Sequence, residues 1–434
     1  MNGQIVAGLD IGTSVVKCLV AQKKGKEWEV LAYVEVPSFG LRKGAVFNVE
    51  ETSKNVQLAI AKAEKECNRK ITSVFVNIGG SHIYVVPSDG IISVSRADQR
   101  ISKEDIERVL QATKAINIPH NEEVLDVFPR EFIIDDQKGI KQPLDLMGIR
   151  LEAKVLLLCY FQQYFTNLTQ AVLNSKIQIN DVIPSPLAAA KAVLTPQQKE
   201  LGVALIDFGA NTTSLAVFEE GELIHLAVFP IGSANITNDI AIGLRTDVSI
   251  AESIKKQYGL CLLLKADNLL RRQIKYSING KPEVNQENKT AGEKKERGLK
   301  GVSNKIEIFD ESSSIFFTKK SLVGIIEPRV SEILDLIQKE LKKIGRQELL
   351  PGGIVLTGGG ANLPKIKELT KIALKLPCEI GIPKGIYGLK EDPSLATVAG
   401  LALGGVDFDD EEGILGFARG WWLKIKKIFK HFLP

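Results

Sequence analysis

An α/β protein built from two related lobes is the fold class that the sequence predicts, and three observations predict it. The first is a duplication: Gly8-Leu-Asp-Ile-Gly-Thr-Ser14 returns in modified form as Leu205-Ile-Asp-Phe-Gly-Ala-Asn-Thr-Thr213, each copy lying between two strand-like apolar runs. The second is Gly353-Ile-Val-Leu-Thr-Gly-Gly-Gly-Ala-Asn-Leu-Pro364, which reads as a buried strand, a glycine loop and the start of a helix. The third is size, because 434 residues exceed one ordinary domain and suffice for two lobes with a large core.

The elements follow in order. Residues 5–37 read as three strands, and Val49 to Asn68 as a helix with Val56, Ile60 and Ala63 at helical spacing. Val74 to Ile78 is a strand ending in Gly79-Gly80. From Ser81 to Tyr164 the pattern becomes a compact α+β insertion, with strands around His82 to Val86 and Ile91 to Ser95 and a helix from Ser102, where Ser102-Lys-Glu-Asp105 fits a capping box. Strands near Glu123 to Ile134 and Ile149 to Cys159 complete it. A helix over Gln163 to Lys176 returns to the main body, and Val182-Ile-Pro-Ser-Pro186 opens an Ala-rich helix. The second copy starts at Gly202 and continues into helices over Asn235 to Gly243 and Val248 to Tyr258. Lys281 to Asn304 has almost no large apolar residue and reads as a disordered or extended surface loop. A long helix over Leu322 to Ile344 follows, with Ile325, Ile326, Val330, Ile333, Leu334 and Ile337 on one face. Asp407 to Gly413 is an acidic linker to the tail.

Composition narrows the function. A hydrophobic fraction of 44% with 25% charged residues is that of a soluble globular protein. The five cysteines, Cys18, Cys67, Cys159, Cys261 and Cys378, are odd in number, far apart and without a C-x-x-C pair. That argues for reduced thiols in the cytosol and against a disulfide frame or zinc site. Strand-like sequence close to the N-terminus leaves no signal-peptide pattern, and the apolar runs are too short to span a bilayer. Five of the Lys and Arg residues lie between Arg419 and Lys430 without an acid, and removing them from the net +4 leaves −1. The basic character therefore belongs to the tail, and no nucleic-acid-binding pattern accompanies it.

Each Asp-x-Gly turn leaves successive backbone N–H groups convergent, which makes an anion-binding concavity, and the aspartate can hold a hydrated divalent cation through its waters. Either copy alone could be an ordinary hairpin turn. The duplication, Lys17 seven residues beyond Asp10, and the late loop Thr357-Gly-Gly-Gly-Ala361 together point to a polyphosphate clamp. If the turn resets strand parity, Lys17 reaches back toward phosphate oxygens. The glycine triplet lets backbone approach a flat ligand, although a plain strand-to-helix turn has the same pattern.

These motifs resemble the two phosphate loops and the adenosine loop of the actin, sugar kinase and Hsp70 ATPase superfamily. Within it, Gly80-Ser-His-Ile83, Ile133-Ile-Asp-Asp-Gln-Lys-Gly-Ile140, Gly148-Ile-Arg-Leu-Glu-Ala153 and Ile236-Thr-Asn-Asp-Ile-Ala-Ile-Gly243 resemble FtsA, the actin-like family of bacterial cell division, over essentially the whole chain. The resemblance implies two RNase H-like lobes with ATP and Mg²⁺ between them. It divides the chain into a first-lobe core (1–80, continued at 166–200 and closed by 379–405), an inserted subdomain (81–165) and a second-lobe core (201–240 and 318–378). An outer subdomain of the second lobe (241–317, with the loop 281–304), an acidic linker (406–413) and an amphipathic helix (414–434) complete the division. By position, Asp10 and Asp207 would hold Mg²⁺ through water. Gly12, Thr13, Ser14 and Lys17 from one lobe, and Gly209, Asn211, Thr212 and Thr213 from the other, would bind phosphate. Gly358, Gly359 and Gly360 would line the adenosine, with Glu252 and Lys255 at ribose and adenine. That last pair also reads as a solvated i, i+3 ion pair.

Ser185 stands where Hsp70-like relatives carry a Glu and actin a Gln that positions the attacking water. A serine is shorter and a far weaker base, so tight ATP binding with slow or negligible turnover is expected. In the tail, Ile414, Phe417, Ala418, Trp421, Ile425, Ile428 and Phe432 form one helical stripe bordered by Trp422 and Phe429, with Leu423 a misfit. Arg419, Lys426, Lys427 and Lys430 lie opposite, and Lys424 lies near the edge. Tryptophan beside snorkelling lysine is what an interfacial membrane helix uses, although a helix docked on the core is the alternative. The resemblance implies a scaffold on the cytoplasmic face of the membrane at the division site. It would bind the FtsZ C-terminal peptide at about Ala241 to Phe317, polymerise with itself and recruit other division proteins, without nucleic acid. A PilM-type adaptor of pilus assembly shares the nucleotide loops and is the nearest rival. A kinase or chaperone ATPase of the same fold is a further alternative, but no substrate-side base or peptide-binding domain is found for either.

Overall fold

The computed structural model describes residues 4–25, 27–263, 275–277, 305–309 and 314–404. The first lobe opens with an antiparallel meander, β1 (Ile5–Ile11), β2 (Val15–Lys24) and β3 (Glu27–Pro37). A small hairpin of β4 (Leu41–Arg42) and β5 (Ala45–Val46) leads to α1 (Val49–Cys67) and β6 (Ser73–Ile78). The Asn48 side chain caps α1, and the helix ends at Asn68 in the left-handed region.

The insertion follows as β7 (Tyr84–Ser93), α2 (Lys103–Ala112), β8 (Glu122–Ile134), β9 (Gln137–Ile140) and β10 (Arg150–Phe161), in a sheet of order β7-β10-β8-β9. The expected capping box forms: the Asp105 carboxylate accepts from the Ser102 N–H and hydroxyl, while the Asp105 backbone N–H donates to Ser102 Oγ. One expectation is corrected. The two strands read over His82 to Val86 and Ile91 to Ser95 are the single strand β7. The strand continues through Pro87 because β7 lies at the sheet edge, where a missing N–H is tolerated. A Cβ on Gly90 would lie 2.5 Å from the Val109 carbonyl oxygen, so glycine is what lets α2 close on the strand. The β9 strand was not foreseen.

The chain returns through α3 (Gln162–Leu173), β11 (Gln178–Pro184), α4 (Ser185–Val193) and α5 (Pro196–Leu201). The second lobe begins with β12 (Val203–Phe208), β13 (Thr213–Glu219) and β14 (Glu222–Phe229). Its outer part contains α6 (Ser233–Leu244), α7 (Val248–Tyr258), β15 (Lys275–Ser277), β16 (Lys305–Phe309) and β17 (Ser314–Thr318). The long helix α8 (Lys319–Lys343) starts a turn before the expected Leu322, because Thr318 and Ser321 form a reciprocal cap. Then come β18 (Ile354–Thr357), a 3₁₀ turn at Gly359–Asn362, α9 (Ile366–Leu374) and β19 (Cys378–Ile380). The chain ends its described course with β20 (Ile386–Tyr387), a 3₁₀ turn at Pro393–Leu395 and α10 (Ala396–Gly404). The loop 281–304, the acidic linker and the amphipathic tail read from the sequence lie outside the described residues.

The duplication extends from motif to topology. The first sheet runs β11-β6-β1-β2-β3-β20, and the second, from its other edge, runs β19-β18-β12-β13-β14. In each, a three-stranded antiparallel meander is followed by two parallel strands, so β12 stands to its sheet as β1 does to the other. Between the sheets, α4 and α10 cross at very short range: a Cβ on Gly400 would fall 1.7 Å from the Ala188 carbonyl oxygen. The same core takes in Val203, Leu205, Ala216, Leu223, Leu226 and Val228 of the second lobe, together with Leu125 and Tyr160 of the insertion. The insertion therefore hangs from the first lobe by its chain ends and rests on the second, with β14 against β7, β8 and β10 and an ion pair from Lys141 to Glu220 at 3.1 Å.

Gly400→Ala is expected to destabilise the protein by roughly 3 kcal/mol, because two helix backbones must separate to admit the methyl. Gly324→Ala, in α8 with nothing within 4 Å of the added Cβ, should stabilise by up to about 1 kcal/mol. Denaturant melts of the two variants check the contrast.

Candidate functional site

β1 and β12 each carry their aspartate next to the turn, and the ladder sets what stands opposite. Asp10 pairs with Lys17, and Asp207 with Ser214. Directly opposed residues share a face of the sheet, so the turn has reset the parity and brought Lys17 beside Asp10. The two turns close alike: the Gly12 N–H donates to the Val15 carbonyl at 3.1 Å, and the Gly209 N–H to the Thr212 carbonyl at 2.9 Å. The N–H groups of Thr13 and Ser14, and of Ala210, Asn211 and Thr212, have no backbone acceptor among the described residues. These are the donors that can turn to an anion, whereas the two glycine N–H groups hold the turns. Thr213 is fully buried, and its hydroxyl donates to the Ile231 carbonyl at 2.9 Å, inside the second lobe.

Both carboxyls carry the mark of a shared cleft. Burial raises Asp10 to about 6, against the pull of Lys17, and the charge of Asp207 adds to the rise. Burial also raises Asp207, with Lys17 and the Thr397 hydroxyl, 3.4 Å from Oδ2, drawing it back. Lys17 is itself buried and donates through Nζ to the Ser394 carbonyl, which ties β2 to the turn before α10. Thr397, Ser394 and α10 had no signal in the sequence reading, since they lie 190 and 377 positions from their partners.

The glycine loop is fitted against the second aspartate. Gly358 has φ +83°, and a Cβ there would meet Asp207 Oδ1 at 2.3 Å. A Cβ on Gly360 would meet the Phe208 ring at 2.6 Å, while Gly359 faces open space. The Gly358 N–H donates to the Pro393 carbonyl at 3.0 Å. Glu252 and Lys255 pair on α7 at 2.7 Å, but the solvated ion pair weighed from the sequence is not what forms. Lys255 is buried and also donates to Thr237 Oγ1 at 2.8 Å and the Ser233 carbonyl at 3.1 Å, which locks α7 to α6.

On the first-lobe side, Ser185 begins α4 and donates its hydroxyl to the Ile78 carbonyl at 3.2 Å. It also accepts from Asn77 Nδ2 at 3.1 Å. Nothing in the sequence marks Asn77, an interior residue of β6. Opposite, a Cβ on Gly44 would come within 2.7 Å of Gly80 and 3.2 Å of the Thr212 methyl, so the β4–β5 turn reaches the second phosphate-type loop. The tail residues Phe417, Trp421, Trp422, Lys424, Ile425, Lys427, Ile428 and Phe429 lie outside the described residues.

The residues fit a hydrated magnesium ion on a polyphosphate. Two carboxylates converge with one lysine, backbone N–H groups are available on both turns, and Gly359 leaves open space beside them. Clusters of three or more His, Cys, Asp or Glu side chains able to cage a metal are not found among the described residues. Magnesium needs none, since it keeps its waters and binds through one or two carboxylates and substrate phosphates.

The fold and cleft define an actin-like protein. Solved structures agree: the chain resembles the PilM-PilN type IV pilus biogenesis complex with a TM-score of 0.61 at 18% identity, over 92% of this chain and 98% of that one. It resembles MreB5 of Spiroplasma citri bound to ADP with a TM-score of 0.52 at 13% identity, over 94% and 99%. Sequence is more specific than fold. Residues 204–400 match the model of cell division protein FtsA, and residues 80–159 that of the SHS2 domain inserted in FtsA. Cell division protein FtsA of Pseudomonas aeruginosa is 36% identical over 409 residues, covering 93% of this chain and 90% of that protein. The chain belongs to the FtsA family of cell division proteins. The likeness to PilM, at 18% identity, is one of fold alone.

Gly358→Ala should cost about 1–3 kcal/mol, from the left-handed backbone and the clash with Asp207 together, whereas Gly359→Ala should cost under about 1 kcal/mol. Thermal or denaturant unfolding of the pair distinguishes a fitted loop from a loose one.

Proposed function

We propose that this protein is an ATP-binding scaffold of bacterial cell division that acts on the cytoplasmic face of the membrane. Asp10 and Asp207 hold Mg²⁺ through its waters, Lys17 and the turn N–H groups of both lobes bind the phosphates, and Gly359 lies at the adenosine. The observation that carries the reading is the convergence of two equivalent Asp-x-Gly hairpins on Lys17. A bound magnesium ion would neutralise phosphate charge and fix the polyphosphate between the lobes.

Ser185 supports slow turnover, because its hydroxyl is engaged by Asn77 and Ile78 and is too weak a base to activate water. The nucleotide then works as a structural ligand or assembly switch. Family membership supports the remaining roles: docking of the FtsZ C-terminal peptide on the outer subdomain at about 241–317, self-polymerisation, and recruitment of later division proteins. No helix among the described residues is long and apolar enough to cross a membrane. The stripe of Phe417, Trp421, Ile425 and Ile428, bordered by Trp422 and Phe429 and with its basic flank, supports attachment to an anionic leaflet, each Lys or Arg adding about 1 kcal/mol.

Asp207→Ala is expected to weaken Mg-ATP binding by roughly 10- to 100-fold in equilibrium titrations. The wild type should release little phosphate at steady state. Robust release that disappears in Asp207→Ala would overturn the structural-ligand reading. Co-sedimentation with anionic liposomes should be lost in Trp421→Glu plus Ile425→Glu, and pelleting that survives this double substitution sinks the membrane assignment.

A further inference from the structure

We infer that Asn77 is the positioning residue of the cation site: one side-chain amide orients Asp10 and immobilises Ser185 together. Asn77 lies near the end of β6, 5% exposed. The parallel pairs Gly8–Phe75 and Leu9–Val76 bring Asn77 alongside Asp10 at the next step of the ladder. Its Oδ1 accepts from the Ile11 N–H at 2.7 Å, while Nδ2 donates to Asp10 Oδ1 at 2.8 Å and to Ser185 Oγ at 3.1 Å. The Ile11 N–H fixes which way the amide faces, because a donor cannot stand against a donor.

The consequence for Asp10 is geometric. Oδ1 is held by a neutral donor, and Oδ2 has no hydrogen-bond partner among the described residues, so Oδ2 is the oxygen available to the water shell of a divalent cation on a polyphosphate. Asn77 holds the carboxylate in this rotamer without adding a charge that would compete with the cation. Ser185 is fixed in the same stroke, accepting from Asn77 and donating to Ile78. The equivalent position in the second lobe shows that the arrangement is not a by-product of the repeat. Thr357 stands beside Asp207 on the parallel strand, yet its hydroxyl donates to the Gly381 and Pro393 carbonyls and leaves Asp207 to Thr397.

The inference rests on the nucleotide reading above and assigns Asn77 to its metal-dependent part alone. The test titrates MgCl₂ into the full-length protein at fixed ATP, read by equilibrium binding, with a parallel measurement of ATP binding in EDTA. Asn77→Ala should raise the Mg²⁺ concentration for half-maximal binding about 10-fold and leave binding in EDTA within about twofold of wild type. Asn77→Ser, whose hydroxyl is one bond too short to reach either Ile11 or Asp10 but keeps a polar group in the site, should show the same shift if the alanine variant fails to fold. Ser185→Ala, which leaves the Asp10 arm intact, should not move the Mg²⁺ requirement. An unchanged Mg²⁺ midpoint in both Asn77 variants, or equal losses with and without Mg²⁺, overturns the role of Asn77 and leaves the nucleotide site standing. Wild-type protein that takes up no ATP in either condition overturns both.

Discussion

Burial pushes both Asp10 and Asp207 toward the neutral form, and Lys17, within electrostatic reach of each, opposes that push. Removing like charges from water is costly unless a cation and hydrogen bonds compensate. The requirement reaches far into the chain. Lys17 owes its place to the β1–β2 ladder, its ammonium is held by the Ser394 carbonyl, and Thr397 supports Asp207 one turn further on. The final described helix is thus part of the charge arrangement as well as of the core, where its glycine lets it lie against α4.

The repeat in the sequence predicted the repeat in the fold because both halves solve one local problem, a turn between strands that also exposes N–H groups. Register followed from local chemistry too, since the parity that brings Lys17 beside Asp10 depends only on the length of the turn. What escaped the sequence was long-range and polar. Asn77 looked like one more residue in an apolar strand, and its partners Ile11, Asp10 and Ser185 lie 66, 67 and 108 positions away. Thr213 was grouped with phosphate donors by its neighbours in the motif, but alternation along β13 turns it into the lobe, where Ile231 takes its hydroxyl. The continuity of β7 is long-range in the same way: Pro87 and Gly90 disfavour an isolated strand, and the edge position and the approach of α2 accommodate them.

Family membership and fold likeness carry different weights here. PilM and MreB5 share the architecture at 18% and 13% identity, too little to transmit a role. The match at 36% identity over most of the chain, with an inserted domain of the same family kind, assigns the lineage. The chemistry of this cleft still has to be read from its own side chains, and Ser185 with Asn77 gives it a character of its own.

The insertion leaves the first lobe after β6 and returns to it at α3, but shares its core with the second, through Leu125 and Tyr160 in one cluster with Leu223, Leu226 and Val228. It is therefore not a separable module in the way its compact sheet and helix suggest. Excision would strip the cover from one face of β14, at about 25 cal/mol for each Å² of apolar surface returned to water. A shortened protein that aggregates after such a deletion would be reporting an uncovered sheet face, and its phenotype could not be assigned to the loss of the insertion's outer surface alone.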